Sequence, residues 1–473
     1  MEILPLEIIQ HIMDFLGFED QINTIIVSKN FYSGLRITHL EHPKLGLPNY
    51  LYLASLYPYV KTLVLKDTHF KFEYHHFKWL KNLTVSGSIN GTSLLQCNHL
   101  KSLKISKNYS LVSINHLTNL RILTIENCYV SQIYNCTQLK YLSIKRNNSI
   151  LKITELPNLE TIKTDSQLES YNTVFNKLRY LAIRNHIGPL PIAPNLTTLL
   201  AKKNIIGNRI LANYTNLTKL DISRCDMVTD INYLPNLTTL IVQQSSLSTQ
   251  GFLKCTNITI LDIADSKIIT DINHLTNLLL LNIMGEENAM GHEGFQKCTR
   301  IRTLYLGNNK HVTNLSHLTQ LETLHIGQQS NLKNLDCCTN LTYLHMTDNN
   351  TITDINSLVN LKNLSAIGNC NLENKGLEKC TNLTDLDVSH NPKITDVNNL
   401  INLQHLHASG YDCALSDQGI QKCHKLKIVV ANYNSKITFG KINFSLLDKN
   451  DVISLREFVD SLQNFYHKNE IVQ

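Results

Sequence analysis

The stretch "CTNLTDLDVSHNPKITDVNNL", Cys380 to Leu400, decides the fold, because it aligns residue for residue with "CTNLTYLHMTDNNTITDINSL", Cys338 to Leu358. Both share the frame L-x-x-L-x-[LIVM]-x-x-N. The second leucine of that frame recurs nineteen times, from Leu63 to Val429, about every twenty residues. A fixed period of this size is the mark of a solenoid built from stacked coils. Within each coil a segment such as "LDV" alternates in, out, in, as a short strand does. One coil cannot bury its apolar side alone, so neighbouring coils must supply a continuous core.

The frame resembles the leucine-rich repeat over roughly residues 60–440. The resemblance implies an α/β fold, a curved horseshoe of about nineteen short coils with a parallel sheet on its concave face. The polar position that ends the frame is filled by Asn108, Cys128, Asn147, Cys225, Asn309, Asn349, Asn369, Asn391 and Asn434. A small polar side chain there can bond the backbone as the chain turns off the strand. The coils near Ile162 and Leu181 depart from the frame, and "IGPLPIAPN" (Ile187 to Asn195) is proline-rich, so irregular convex loops are expected there.

A longer rhythm lies on top. Cys255, Cys298, Cys338, Cys380 and Cys423 recur about every 42 residues, each six residues before a frame leucine. One kind of unit carries "ITDIN" on its return path; the other carries "GFLKC", "GFQKC", "GLEKC" or "GIQKC". Both features are similar to the cysteine-containing subclass of the repeat. The coils are shorter than is usual for that subclass, so turns or 3₁₀ pieces are expected on the return side. Strands of adjacent coils lie about 4.8 Å apart, which puts these cysteines roughly 10 Å from one another, beyond disulfide reach. They read as buried small hydrophobes in a reducing compartment. The many Asn-Leu-Thr triplets follow from the repeat and carry no weight as glycan sites.

Nothing downstream looks like "LPLEIIQHIMDFL", Leu4 to Leu16. Pro5 suits the first turn of a helix, an apolar stripe follows, and Gly17 suits its end. The order L-P-x-E-I-I-x-x-I-x-x-x-L, an acidic turn, then "VSK" and an aromatic residue resembles an F-box over residues 1–35. That resemblance implies a helical module that docks the adaptor subunit of cullin–RING, SCF-type ubiquitin ligases, through Leu4, Pro5, Ile8, Ile9, Ile12, Leu16, Ile22 and Val27. It implies a non-enzymatic substrate receptor, with 36–59 as a connector and the concave face as the target site. The competing reading is a stand-alone interaction scaffold whose N-terminal helices only cap the array. The tail 441–473 includes "DVISLREFVDSLQNFY", an amphipathic stretch expected to form a C-terminal capping helix.

Two groups of residues flank the inward leucines. The C-terminal half presents Tyr305, His325, Tyr343, His345, Asp385, Asp387, His405 and His407, candidate anchors for a target protein. The N-terminal half presents Lys66, Lys104, Lys145, Lys163, Arg184, Lys202 and Lys219 with Tyr141 and Tyr180, a track that an RNA or phosphoprotein could use. Net charge of +6, from 44 Lys+Arg against 38 Asp+Glu, is too small to favour nucleic acid. No cofactor, metal or catalytic motif is found, so neither cofactor nor catalysis is expected. With no basic n-region and no apolar run of about 18 residues, no membrane partner and a cytoplasmic location are expected, the nucleus being open to it. Heavy use of Asn, Ile and Lys fits an AT-rich genome, such as that of an amoeboid protist or a large DNA virus. In the viral case the ligase and the cytoplasm would be the host's.

Overall fold

The computed structural model describes residues 37–41, 57, 59–68, 77–87, 94, 97–109, 113–147, 150–169, 173–186 and 188–438. The F-box-like segment 1–35 and the tail helix expected within 441–473 lie outside the described residues. The chain divides into two compact units, Met1–Ile258 and Thr259–Gln473.

Every one of the nineteen frame leucines falls in a short parallel strand. In the first unit eleven described strands pair in sequence from His39–Glu41 to Thr239–Ile241. In the second, nine pair in sequence from Ile260–Asp262 to Ile428–Val430. Frame leucines pair with frame leucines, as in Leu344 with Leu364 and Leu364 with Leu386. These side chains are fully enclosed, which is the physical reason the register repeats: a one-residue slip would turn every leucine into water. The strand His39–Glu41 adds one rung ahead of the nineteen, with Leu40 opposite Leu63, inside the stretch read as connector.

The chain leaves most strands through a residue with positive φ four places after the frame leucine. Asn127, Asn185, Asp265, Asp348, Gly368 and Gly410 all do so. This left-handed turn presents the next side chain back to the coil below. Asn391 shows the result. Its amide donates to the Ala366 carbonyl at 3.0 Å, and its oxygen accepts from the amides of Lys393 (2.8 Å) and Ile394 (3.0 Å). Asn309, Asn349 and Asn434 repeat the pattern. Asn369 does not. It is exposed, and the neighbouring Cys370 is buried in its place, its thiol donating to the Met346 carbonyl. The polar position of this coil thus falls one residue later than the frame places it.

The return side is built of turns, as the coil length demands. Among the described residues it contains four 3₁₀ turns, Thr249–Phe252, His292–Phe295, Asn374–Leu377 and Gln418–Ile420, and one α-turn, Asn208–Leu211. The irregular loops expected near Ile162 and Leu181 are instead partly ordered. Gln132–Ile133, Leu151–Ile153 and Leu168–Glu169 form a second, three-stranded parallel sheet. Alternating Leu151 and Ile153 are buried, so these returns obey strand periodicity rather than loop chemistry.

The two unit types interlock. "ITDIN" in one coil meets "GLEKC" in the next. Asn356 donates to the Lys375 carbonyl (2.8 Å) and accepts from the Lys379 amide (2.7 Å), while Asp354 accepts the Asn356 amide (2.8 Å). The Ile355 amide reaches the Gly376 carbonyl at 2.7 Å, and the Cys380 thiol donates to the Ile355 carbonyl at 3.3 Å. The same set recurs at Asn232 with Cys255, Asn273 with Cys298 and Asn398 with Cys423. The cysteines are therefore donors as well as hydrophobes. None of the twelve cysteines is in a disulfide and eleven are buried, and burial pushes the Cys380 thiol up to about 12. The Asn of several "TNL" segments makes a separate ladder to the preceding coil, as Asn340 does to the Thr319 carbonyl and Asn382 to the Val359 carbonyl. Replacing Asn356 with alanine removes two side-chain bonds at a solvent-accessible seam. It is expected to cost about 1–2 kcal/mol, read as a shift of the urea midpoint.

Candidate functional site

Strand register collects the candidate anchors into two adjacent columns. One runs Tyr305, His325, His345, Ser365, Asp387, His407; the other runs Tyr343, Asn363, Asp385, His405. All lie in the second unit, on the face of the sheet opposite the leucine core. Each is placed there by the period-two alternation of a three- to five-residue strand.

At one end of the columns the groups stack. The Tyr305 and His325 rings lie 4.5 Å apart at 26°, and His325 is 5.2 Å from Tyr343 and 5.4 Å from His345. His325 is 9% exposed. Burial, and then the neighbouring His345, push its pKa down to about 3, so it is a neutral ring at physiological pH. Burial also lowers His345, against the pull of Asp387, and Thr347 holds its Nε2 at 2.8 Å.

At the other end the groups form ion-pair geometry. Asp385 Oδ1 and His405 Nδ1 are 2.6 Å apart, both side chains 22% exposed, and the Thr384 hydroxyl donates to Asp385 Oδ2 at 2.6 Å. Burial raises the Asp385 carboxyl. The bonds from His405 and Thr384, with the charge of His405 and His407 nearby, outweigh it and hold the carboxyl below the ordinary range. Asp387 accepts the Ser389 amide at 2.9 Å.

Between these ends lies a cavity of about 150 Å³. Six of the eight predicted anchors line it: Tyr343, His345, Asp385, Asp387, His405 and His407. Asn363, Leu364, Ser365, Ile367 and Leu386 complete it. Tyr305 and His325 form a buttress beside it. Asn363 and Ser365 occupy the same two columns, but neither is aromatic or titratable, so their residue types alone do not mark them as anchors. Two polar atoms of the lining, Ser365 Oγ and His405 Nε2, are buried with no hydrogen-bond partner among the described residues.

The basic track of the first unit does not form one line. Lys219 precedes its frame leucine, Lys104 and Lys163 follow theirs by one place, and Lys145, Arg184 and Lys202 lie three places on. The Lys66 side chain lies outside the described residues. Lys163 lies 5.6 Å from the Tyr141 ring and 5.4 Å from the Tyr180 ring, so its charge is already engaged by two aromatic faces. Burial lowers Lys202; Asp221 opposes that, and Arg184, Arg224 and Lys203 add to it.

Among the described residues no group of His, Cys, Asp and Glu has the arrangement of a metal site, and no helix is long and apolar enough to cross a membrane. The eight adaptor candidates, Leu4 to Val27, lie outside the described residues.

Residues 1–40 match the F-box domain. The fold is similar to that of CroV588, a circular leucine-rich-repeat protein, at 18% identity and TM-score 0.59, covering 81% of this chain and 67% of that one. It is also similar to TLR13 in its complex with ssRNA13, at 18% identity and TM-score 0.55, covering 85% of this chain and 74% of that one. No curated protein sequence matches the chain.

Proposed function

We propose that this F-box/leucine-rich-repeat protein is the substrate-recognition subunit of an SCF-type ubiquitin ligase. In this reading Leu4, Pro5, Ile8, Ile9, Ile12, Leu16, Ile22 and Val27 dock the adaptor. The strand-face cluster from Tyr305 to His407 holds a target protein, in a cytoplasm that in a viral setting is the host's. The observation that carries the proposal is the F-box match at residues 1–40 standing directly ahead of a leucine-rich-repeat solenoid. The chemistry of the solenoid supports a binding role: its strand face offers aromatic and histidine groups clustered around a cavity, the composition of an interface core. The chain contributes recognition in this reading, and transfer of ubiquitin belongs to other subunits.

The test is capture of a purified adaptor subunit by the full chain, compared with a Leu4→Ala/Pro5→Ala variant of matching circular dichroism. Capture at micromolar concentration by the wild type, reduced at least about tenfold in the variant, is the expected result; two core anchors are worth more than the 1.4 kcal/mol that tenfold represents. No capture by the folded wild type would overturn the ligase reading in favour of a stand-alone scaffold.

A further inference from the structure

The strand-face cavity combines the apolar Leu364, Ile367 and Leu386 with a set of polar side chains, three of which can act as acceptors there. His405 Nδ1 is turned to Asp385 at 2.6 Å. When the ring is neutral this bond keeps the proton on Nδ1 and leaves Nε2 as an acceptor, buried and without a partner among the described residues. Ser365 Oγ, opposite Asp387 in the strand register, is likewise buried and unpartnered. The Asp387 carboxylate spends one oxygen on a backbone amide at 2.9 Å. Leaving buried polar atoms unpaired costs about 1–3 kcal/mol each, which a guest carrying several N–H groups would recover.

Charge narrows the guest further. On the nine strands of the second unit, the two positions flanking each frame leucine carry Asp262, Asp385 and Asp387 and no Lys or Arg, and His325, His345, His405 and His407 add no charge as neutral rings. The face therefore favours a cation. The cavity, about 150 Å³, is the size of a side chain; a water's share of liquid is about 30 Å³. The Tyr343 ring lines the same space and offers an aromatic face. A planar cation with five donors in a fixed fork matches acceptors spread over three side chains, whereas an ammonium is a point charge with three donors.

We propose that this cavity, lined by Tyr343, Ser365, Asp387 and His405, is an arginine pocket: it takes the guanidinium of an arginine on an exposed segment of the target protein. The proposal rests on the reading that the strand face holds the target, and it names what that face selects. The guanidinium lies against Tyr343 and donates to Asp387, Ser365 Oγ and His405 Nε2.

The full chain is titrated with fluorescein-labelled Gly-Ser-Gly-Arg-Gly-Ser-Gly, followed by anisotropy. In parallel it is titrated with the same peptide carrying citrulline, the neutral isostere, and with one carrying lysine. The arginine peptide is expected to bind about 10- to 100-fold more tightly than the citrulline peptide, the worth of one charge-assisted buried bond. Asp387→Asn, which can still accept the Ser389 amide through its side-chain oxygen, is expected to weaken arginine binding about tenfold or more. Ser365→Leu, which fills the cavity without altering charge, is expected to do the same. Equal binding of arginine and citrulline peptides, lysine binding as tight as arginine, or indifference to both substitutions would overturn the proposal. The Leu4→Ala/Pro5→Ala variant is expected to bind the arginine peptide unchanged. Loss of adaptor capture alone therefore removes the ligase role and leaves the pocket standing, while loss of arginine selectivity removes the pocket and leaves the ligase role standing.

Discussion

Replacing Gly376 with alanine is expected to destabilise the surrounding coils by about 3 kcal/mol, although the residue has no positive φ and lies in a 3₁₀ turn where alanine would ordinarily help. A methyl group at this position runs into the Thr353 carbonyl oxygen of the preceding coil and comes within 2.8 Å of the Leu372 side chain. The first of these is backbone and cannot rotate away. Moving it also strains the 2.7 Å bond from the Ile355 amide to the Gly376 carbonyl. Overpacking of this kind costs about 1–3 kcal/mol and a lost buried bond about 1 more. Because coils of a solenoid touch only their neighbours, the loss is local, and native-state hydrogen exchange is the measurement that sees it. The Ile355 amide is expected to exchange about 100-fold faster in the variant, as 3 kcal/mol requires. Gly291→Ala provides the contrast in the same unit: its methyl would come no closer than 3.6 Å to the His311 carbonyl, so exchange there should be unchanged.

Much of the molecule is carried openly by its sequence, and the room made at Gly376 is not. The period, the frame leucines and the alternation of "LDV" are governed by burial alone, and every frame leucine lies in a parallel strand as the pattern requires. The pairing of "ITDIN" with "G-[FLI]-x-K-C" is visible as a 42-residue rhythm, but its cause is not. It takes the fold to show that Asn356, Gly376 and Cys380 are one device, in which the glycine makes room for a carbonyl and the asparagine and thiol bond across the seam. The site is legible to the same depth. Residues flanking the leucines must face outward, and so the histidines, tyrosines and aspartates group correctly. Which of them pair, and that Ser365 completes the cavity, depends on which coils are adjacent at which register. Asn369 illustrates the opposite case: it matches the motif at the level of letters, but Cys370, one residue on, takes the buried place.

Acidification is expected to remove about 3 kcal/mol of stability between pH 7 and pH 4.5 through His325 alone. In the fold its pKa lies at about 3, pushed down first by burial and then by the neighbouring His345, against about 6.5 in an unfolded chain. A histidine whose folded pKa is depressed is neutral in both states above 6.5, so its contribution is fully present there. Below 6.5 the unfolded chain takes up a proton that the fold refuses, and stability falls at about 1.4 kcal/mol per pH unit until the folded pKa is reached. Two units of that slope lie between 6.5 and 4.5. His345 and His317, both lowered chiefly by burial, act in the same direction. Asp385, held low in the fold, contributes stability that is lost only at more acid pH, so the windows separate. Urea unfolding of the full chain at pH 7 and pH 4.5, followed by circular dichroism, gives the total slope, and His325→Phe isolates the residue. The phenylalanine keeps a ring between Tyr305 and Tyr343, 4.5 and 5.2 Å away in the native stack, and cannot take up a proton. The variant is expected to lose about 3 kcal/mol less than the wild type over that range. An unchanged pH dependence would show that His325 charges in the folded state, and that the aromatic stack beside the cavity is open to water rather than closed.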